Sequence, residues 1–177
     1  VGEYTITYDV SDQAGNKAVQ VTRKIIVQED GPTDNYSSWI AENGLAALSA
    51  DKQTLDADPD GDGLANLLEY ALGKDPVAAD TIGITADTSS GSLSITFIRV
   101  KASIDASLTY KVELASTLSD WAEANVTLTG ALQGVDQTGL PDGNDFATSK
   151  YERVKATANT NMAGSNGKQF LRMSVAK

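Results

Sequence analysis

Between positions 56 and 69 the chain reads Asp56-Ala57-Asp58-Pro59-Asp60-Gly61-Asp62-Gly63-Leu64-Ala65-Asn66-Leu67-Leu68-Glu69. Counted from Asp58, carboxylates stand at positions one, three and five, glycine at six, an amide at nine and glutamate at twelve. Alternate residues of a tightly curled loop point inward, so Asp58, Asp60 and Asp62 converge on one point and repel one another unless a cation sits there. A hard cation with a preference for oxygen completes such a set. The predicted ion is Ca²⁺, held by the three aspartates, the Leu64 carbonyl, Asn66 or a water on it, and Glu69 closing the shell bidentately from the first turn of a helix. Gly63 falls where the chain must turn sharply, and a residue without Cβ does this at least cost. The competing reading is a bare acidic loop, but every position of the pattern is met.

Such a loop supplies binding chemistry and no reaction. The 177 residues contain no histidine and no cysteine, which excludes triads built on a histidine base, the common zinc sites and a disulfide-stapled scaffold. No run approaches the ~18 apolar residues of a membrane span. The chain opens at Val1 inside a strand-like pattern, so it is read as a piece of a longer protein. Of the net charge of −10, residues 31–79 hold nine acids and two bases, whereas 80–177 hold ten and nine. The acidity is therefore local to the loop, and no basic face for nucleic acid or anionic lipid is present.

Residues 1–30 alternate Tyr4, Ile6, Tyr8 and Val10, turn through 12–16, and continue with Val19, Val21 and Ile25, the pattern of a β-hairpin. This hairpin resembles the last two strands of a bacterial Ig-like domain. Two strands alone are marginal in water, so its apolar stripe is expected to pack on the downstream segment or to pair with a second copy as a homodimer. Residues 31–35 are a breaker-rich linker. A short helix is expected from Asp34 or Asn35 to Glu42 with Trp39 and Ile40 inward, and a second carries Leu67, Leu68, Ala71 and Leu72 before Gly73 and Pro76.

The loop follows the EF-hand pattern, yet no long helix runs into Asp58, so it resembles dockerin and thrombospondin type 3-like single calcium loops more than a paired sensor. The wider stretch 58–76 resembles a segment near the C-termini of large secreted and surface multidomain proteins of environmental bacteria. In those proteins a β-rich tail follows, matched here by Tyr110-Lys111-Val112-Glu113-Leu114-Ala115-Ser116-Thr117-Leu118-Ser119-Asp120-Trp121 and by Phe170-Leu171-Arg172. The resemblance implies a non-catalytic C-terminal module. Alternating apolar residues independently suggest strands at 92–100, 107–115, 125–133, 149–157 and 168–176, with Trp121 plugging one end of the core.

The expected fold is mainly β. It comprises an Ig-like hairpin (1–30), a short helical calcium-loop segment (31–79) and an antiparallel β-sandwich (80–177). The expected function is a calcium-stabilised, non-catalytic module of a secreted or cell-surface bacterial protein, serving as spacer or sorting element within its parent chain. The alternative is an adhesion module for polysaccharide or another surface ligand, using Trp121, Tyr151 or Tyr110. An enzyme built on paired carboxylates is disfavoured, because Glu113 and Glu152 alternate outward on strands. The acidic loop 136–145 is a weaker candidate for a second cation, its side chains being ordinary turn residues. Chelation is expected to loosen 34–76 and to leave 92–176 folded.

Overall fold

Ile95 and Phe97 alternate along one strand, Val154 and Ala156 along another, and the register Ile95↔Ala156, Phe97↔Val154 brings both pairs together. They form the centre of the β part of a computed structural model that describes residues 2–8, 11–27, 35–165 and 168–177. The chain divides into two compact units, residues 1–34 and 35–177. The first is a hairpin in which β1 (Gly2–Tyr8) pairs antiparallel with β2 (Val21–Val27). Its turn is set by Asp12, whose Oδ1 accepts the Ala14 and Asn16 amides at 2.9 and 2.8 Å. Tyr4, Ile6 and Tyr8 are exposed. Val10 and the linker 31–34 lie outside the described residues.

In the second unit α1 (Asn35–Glu42) and α2 (Asn66–Leu72) frame the acidic loop. Strands β3 (Thr85–Asp87), β4 (Ser94–Val100), β5 (Thr109–Ala115), β6 (Val126–Thr129), β7 (Tyr151–Ala158) and β8 (Phe170–Ala176) follow. They make a four-stranded sheet in the order β3-β4-β7-β6 and a two-stranded sheet β5-β8, every pairing antiparallel. The described residues are thus mainly β. One apolar cluster joins the sheets: Ile95 and Phe97 of β4, Val112 of β5, and Val154 and Ala156 of β7, with Leu171 and Met173 of β8 against it. Burying the Phe97 ring alone contributes about 2–3 kcal/mol.

A second cluster alters the expected domain boundary. Tyr36, Trp39, Leu45, Tyr70 and Ala71 of the helical segment pack in one core with Val100, Leu108, Leu140 and Tyr151. The Tyr110 hydroxyl donates to the Ala71 carbonyl at 2.8 Å. Residues 35–79 and 80–177 are therefore not separate cores, because a seven-residue helix has too small an apolar face to stand alone and closes the end of the sheets instead. Two local expectations also change, for β6 and for Trp121. β6 stops at Thr129, where Gly130 begins a 3₁₀ turn whose amide is held by Gln133. On β8 the half-buried side chains are Leu171, Met173 and Val175, with Phe170 exposed. Trp121 does not plug the core. The turn Ser116 to Asp120 is closed by Asp120 accepting from Ser116 and Thr117, which places the Trp121 ring over the Arg172 guanidinium, 4.4 Å away.

Gly73 ends α2 at φ 67°, and a Cβ there would lie 2.6 Å from Pro141 Cγ and 2.9 Å from Tyr151 Cε1. Gly73→Ala combines left-handed strain with a clash in the shared core. It is expected to destabilise the second unit by about 2–3 kcal/mol in urea denaturation.

Candidate metal centre

The loop owes its shape to its own side chains. Asp58 accepts the Gly61 amide on Oδ1 (2.8 Å) and the Gly63 amide on Oδ2 (3.0 Å). Asp60 Oδ1 accepts Asp62 N at 3.1 Å, and Asp62 Oδ1 accepts Leu64 N at 2.7 Å. Gly63 sits at φ 94°, a conformation glycine adopts without strain. At the base, Asn66 N donates to Ala57 O (2.8 Å) and Leu67 N to Leu55 O (2.9 Å), so the two ends of the loop are stitched together where α2 begins. The chain enters through a 3₁₀ turn at Ala50–Gln53 and no α-helix, in keeping with a single loop rather than a paired one.

These bonds bring one carboxylate oxygen each of Asp58, Asp60 and Asp62 within 4.8 Å of one another, close enough to hold one metal ion. Four buried oxygens accept no hydrogen bond: Asp60 Oδ2, Asn66 Oδ1 and both carboxylate oxygens of Glu69. Asn66 and Glu69 are fully buried. The orientation of Asn66 is fixed, since its Nδ2 donates to Lys52 O (2.9 Å) and Thr54 O (2.8 Å), leaving Oδ1 as the orphan. A buried carboxylate with neither oxygen satisfied costs several kcal/mol unless a charge compensates it.

The electrostatics point the same way. Burial, then the charges of Asp60, Asp62, Asp80 and Asp58, push the Glu69 carboxyl up to about 8. Burial, with Asp62 and Asp58 beside it, also raises Asp60. For Asp58 burial is outweighed by the amides of Gly61 and Gly63, and its carboxyl is lowered. Metal-free, the site holds more negative charge than its surroundings neutralise.

Of the sequence-predicted residues, Asp58, Asp60 and Asp62 are brought together, and Asn66 and Glu69 contribute three of the four orphaned oxygens. Leu64 is held in the loop through its amide on Asp62 Oδ1, and Asp56 is exposed. Asp80 was not anticipated. Its amide donates to Asp62 Oδ2 at 2.9 Å, its carboxylate pairs with Lys74 at 3.5 Å, and no local pattern marks a residue so far beyond the loop.

The loop 136–145 is arranged differently. Asp136 accepts from the amide and hydroxyl of Thr138, and Asp142 from Asn144 N, Ser149 Oγ and Lys150 N, so both carboxylates are spent on donors of the loop and of the residues just after it. A cleft of about 660 Å³ lies between α1, the end of α2 and residues 141–151, lined in part by Trp39, Tyr70 and Tyr151. These rings are nearly buried and offer little face for stacking. Glu113 pairs with Arg172 (2.7 Å) and Glu152 with Arg99 (2.8 Å). The chain matches no protein-family model, no curated protein and no solved structure.

Proposed function

We propose that the loop binds Ca²⁺ and that the chain is a calcium-stabilised, non-catalytic module of a secreted or cell-surface protein, its β part an antiparallel sandwich capped by the metal-binding helix. The observation that carries the metal reading is the set of four buried, unsatisfied oxygens on Asp60, Asn66 and Glu69. They stand at positions three, nine and twelve of the calcium-loop spacing. All are hard oxygen donors, and oxygens on opposite sides of a Ca²⁺ ion lie about 4.6–5.2 Å apart, which suits the aspartate triad. Asp58, Asp60, Asp62, the Leu64 carbonyl, Asn66 Oδ1 and Glu69 would hold the ion. When bound, it supplies the positive charge that the loop lacks.

A structural role suits the surroundings. The ligand-bearing helix caps the core it shares with the sheets, so an ion there ties loop to core. A single loop of this kind suggests a Kd on the order of 10⁻⁴ to 10⁻³ M, which extracellular calcium fills and resting cytosolic calcium does not. The carboxylates that a glycosidase-like reading would use are held in ion pairs with Arg172 and Arg99.

Calorimetry on chelator-stripped protein is the test. One Ca²⁺ per chain is expected, and Glu69→Ala should weaken binding at least about 100-fold, roughly 2.8 kcal/mol. Absence of calcium heat, or parental affinity in Glu69→Ala, would remove the site. A second equivalent would return the loop 136–145 to consideration.

A further inference from the structure

Behind the metal-bearing helix lies a second site. We propose that Tyr36, Tyr70 and Asp105 form a receptor for a primary alkylammonium ion, which Lys177 fills in cis, fastening the end of β8 to both helices that frame the metal loop. Lys177 Nζ lies 5.4 Å from the centroid of the Tyr36 ring and 5.0 Å from that of Tyr70, inside the range in which a ring face attracts a cation. It is 3.1 Å from Asp105 Oδ2, and the two side chains are only 15% and 6% exposed. Two aromatic rings and one desolvated carboxylate around an ammonium on an unbranched stem are the chemistry of an ammonium cage.

The cage is braced independently of its occupant. Tyr70 donates its hydroxyl to Asp105 Oδ2 at 2.7 Å. Ser107 donates its amide (2.9 Å) and hydroxyl (2.6 Å) to Oδ1. Tyr36 stacks on Trp39 and meets Tyr70 edge to face, while its hydroxyl donates to Gln53 O just before the metal loop. Burial alone would raise the Asp105 carboxyl, but these bonds and Lys177 outweigh it and hold the group well below the usual carboxylate range. The anion is thus fixed before the cation arrives, and pre-organisation of this kind is what makes a receptor. Glu69 and Tyr70 are neighbours on α2, one serving each site.

Chemical rescue in the whole chain tests it. Lys177→Ala should lower Tm by about 4 °C in saturating calcium. n-Butylammonium chloride should restore most of that loss saturably, whereas sodium chloride at equal ionic strength and n-butanol should not. In the unaltered chain the Lys177 ε-methylene protons should resonate upfield of a free lysine because of the two rings. This measurement decides the matter even if the variant fails to fold. Free-lysine shifts would overturn the receptor, as would rescue by butanol equal to that by the ammonium ion, or parental melting of Lys177→Ala.

Discussion

Stripping the ion from calcium-loaded protein should lower Tm by about 5–10 °C. At a calcium concentration 100 times Kd, binding to the folded state alone contributes about 2.7 kcal/mol, and for a chain of this size each kcal/mol moves Tm by about 2–4 °C. The spread of the loosening is the more telling readout. From sequence it would stop near residue 76, but Tyr70 and Ala71 share a core with Val100, Leu108, Leu140 and Tyr151. Hydrogen exchange in chelator should therefore show lost protection in 54–72 extending to 100–110 and 140–151. The central pairs Ile95↔Ala156 and Phe97↔Val154 belong to the other cluster and should stay protected. Equal protection with and without calcium would mean that the ion braces nothing. Collapse of the central pairs would mean that the two clusters unfold as one.

The second large effect is a reversal of the pH dependence on metal binding. Metal-free, the Glu69 carboxyl is raised to about 8 by burial and its acidic neighbours, whereas in the unfolded chain it titrates near 4.5. Between these values the folded state holds a proton that the unfolded state has released, so stability falls as pH rises through the window, by up to about 1.4 kcal/mol per pH unit. Urea denaturation in chelator should accordingly give higher stability at pH 5 than at pH 8. Glu69→Gln, which cannot ionise, should flatten the slope and exceed the parent in stability at pH 8 while binding little calcium. In saturating calcium the parent should gain stability over the same interval, since the ion binds the deprotonated carboxylate. Acid loss belongs lower: Asp142 and Asp105, whose folded carboxyls are depressed by hydrogen bonds that outweigh burial, give up their contribution only as pH drops below about 3.8. A parent that is as stable in chelator at pH 8 as at pH 5 would contradict the buried, uncompensated Glu69.

What the sequence determined by itself was whatever a short stretch of backbone dictates. The loop spacing named Asp58, Asp60, Asp62, Asn66 and Glu69, because alternate inward side chains and a following helical turn are consequences of local geometry. Strand alternation placed β4, β5, β7 and β8 to within a few residues, and Gly73 marked the end of α2 because a left-handed residue must stand there. Tertiary structure decided the rest. It set Asp80 against Asp62, folded the loop helix into the core of the sheets, moved Trp121 onto Arg172, and brought the Lys177 ammonium to Tyr36, Tyr70 and Asp105. Each of these joins residues far apart in the chain, and such pairings follow from which faces remain apolar after local structure forms. Periodicity placed Ala71 and Leu72 on the inward face of α2; only the packed molecule shows that Tyr70 is buried beside them and that its hydroxyl reaches Asp105.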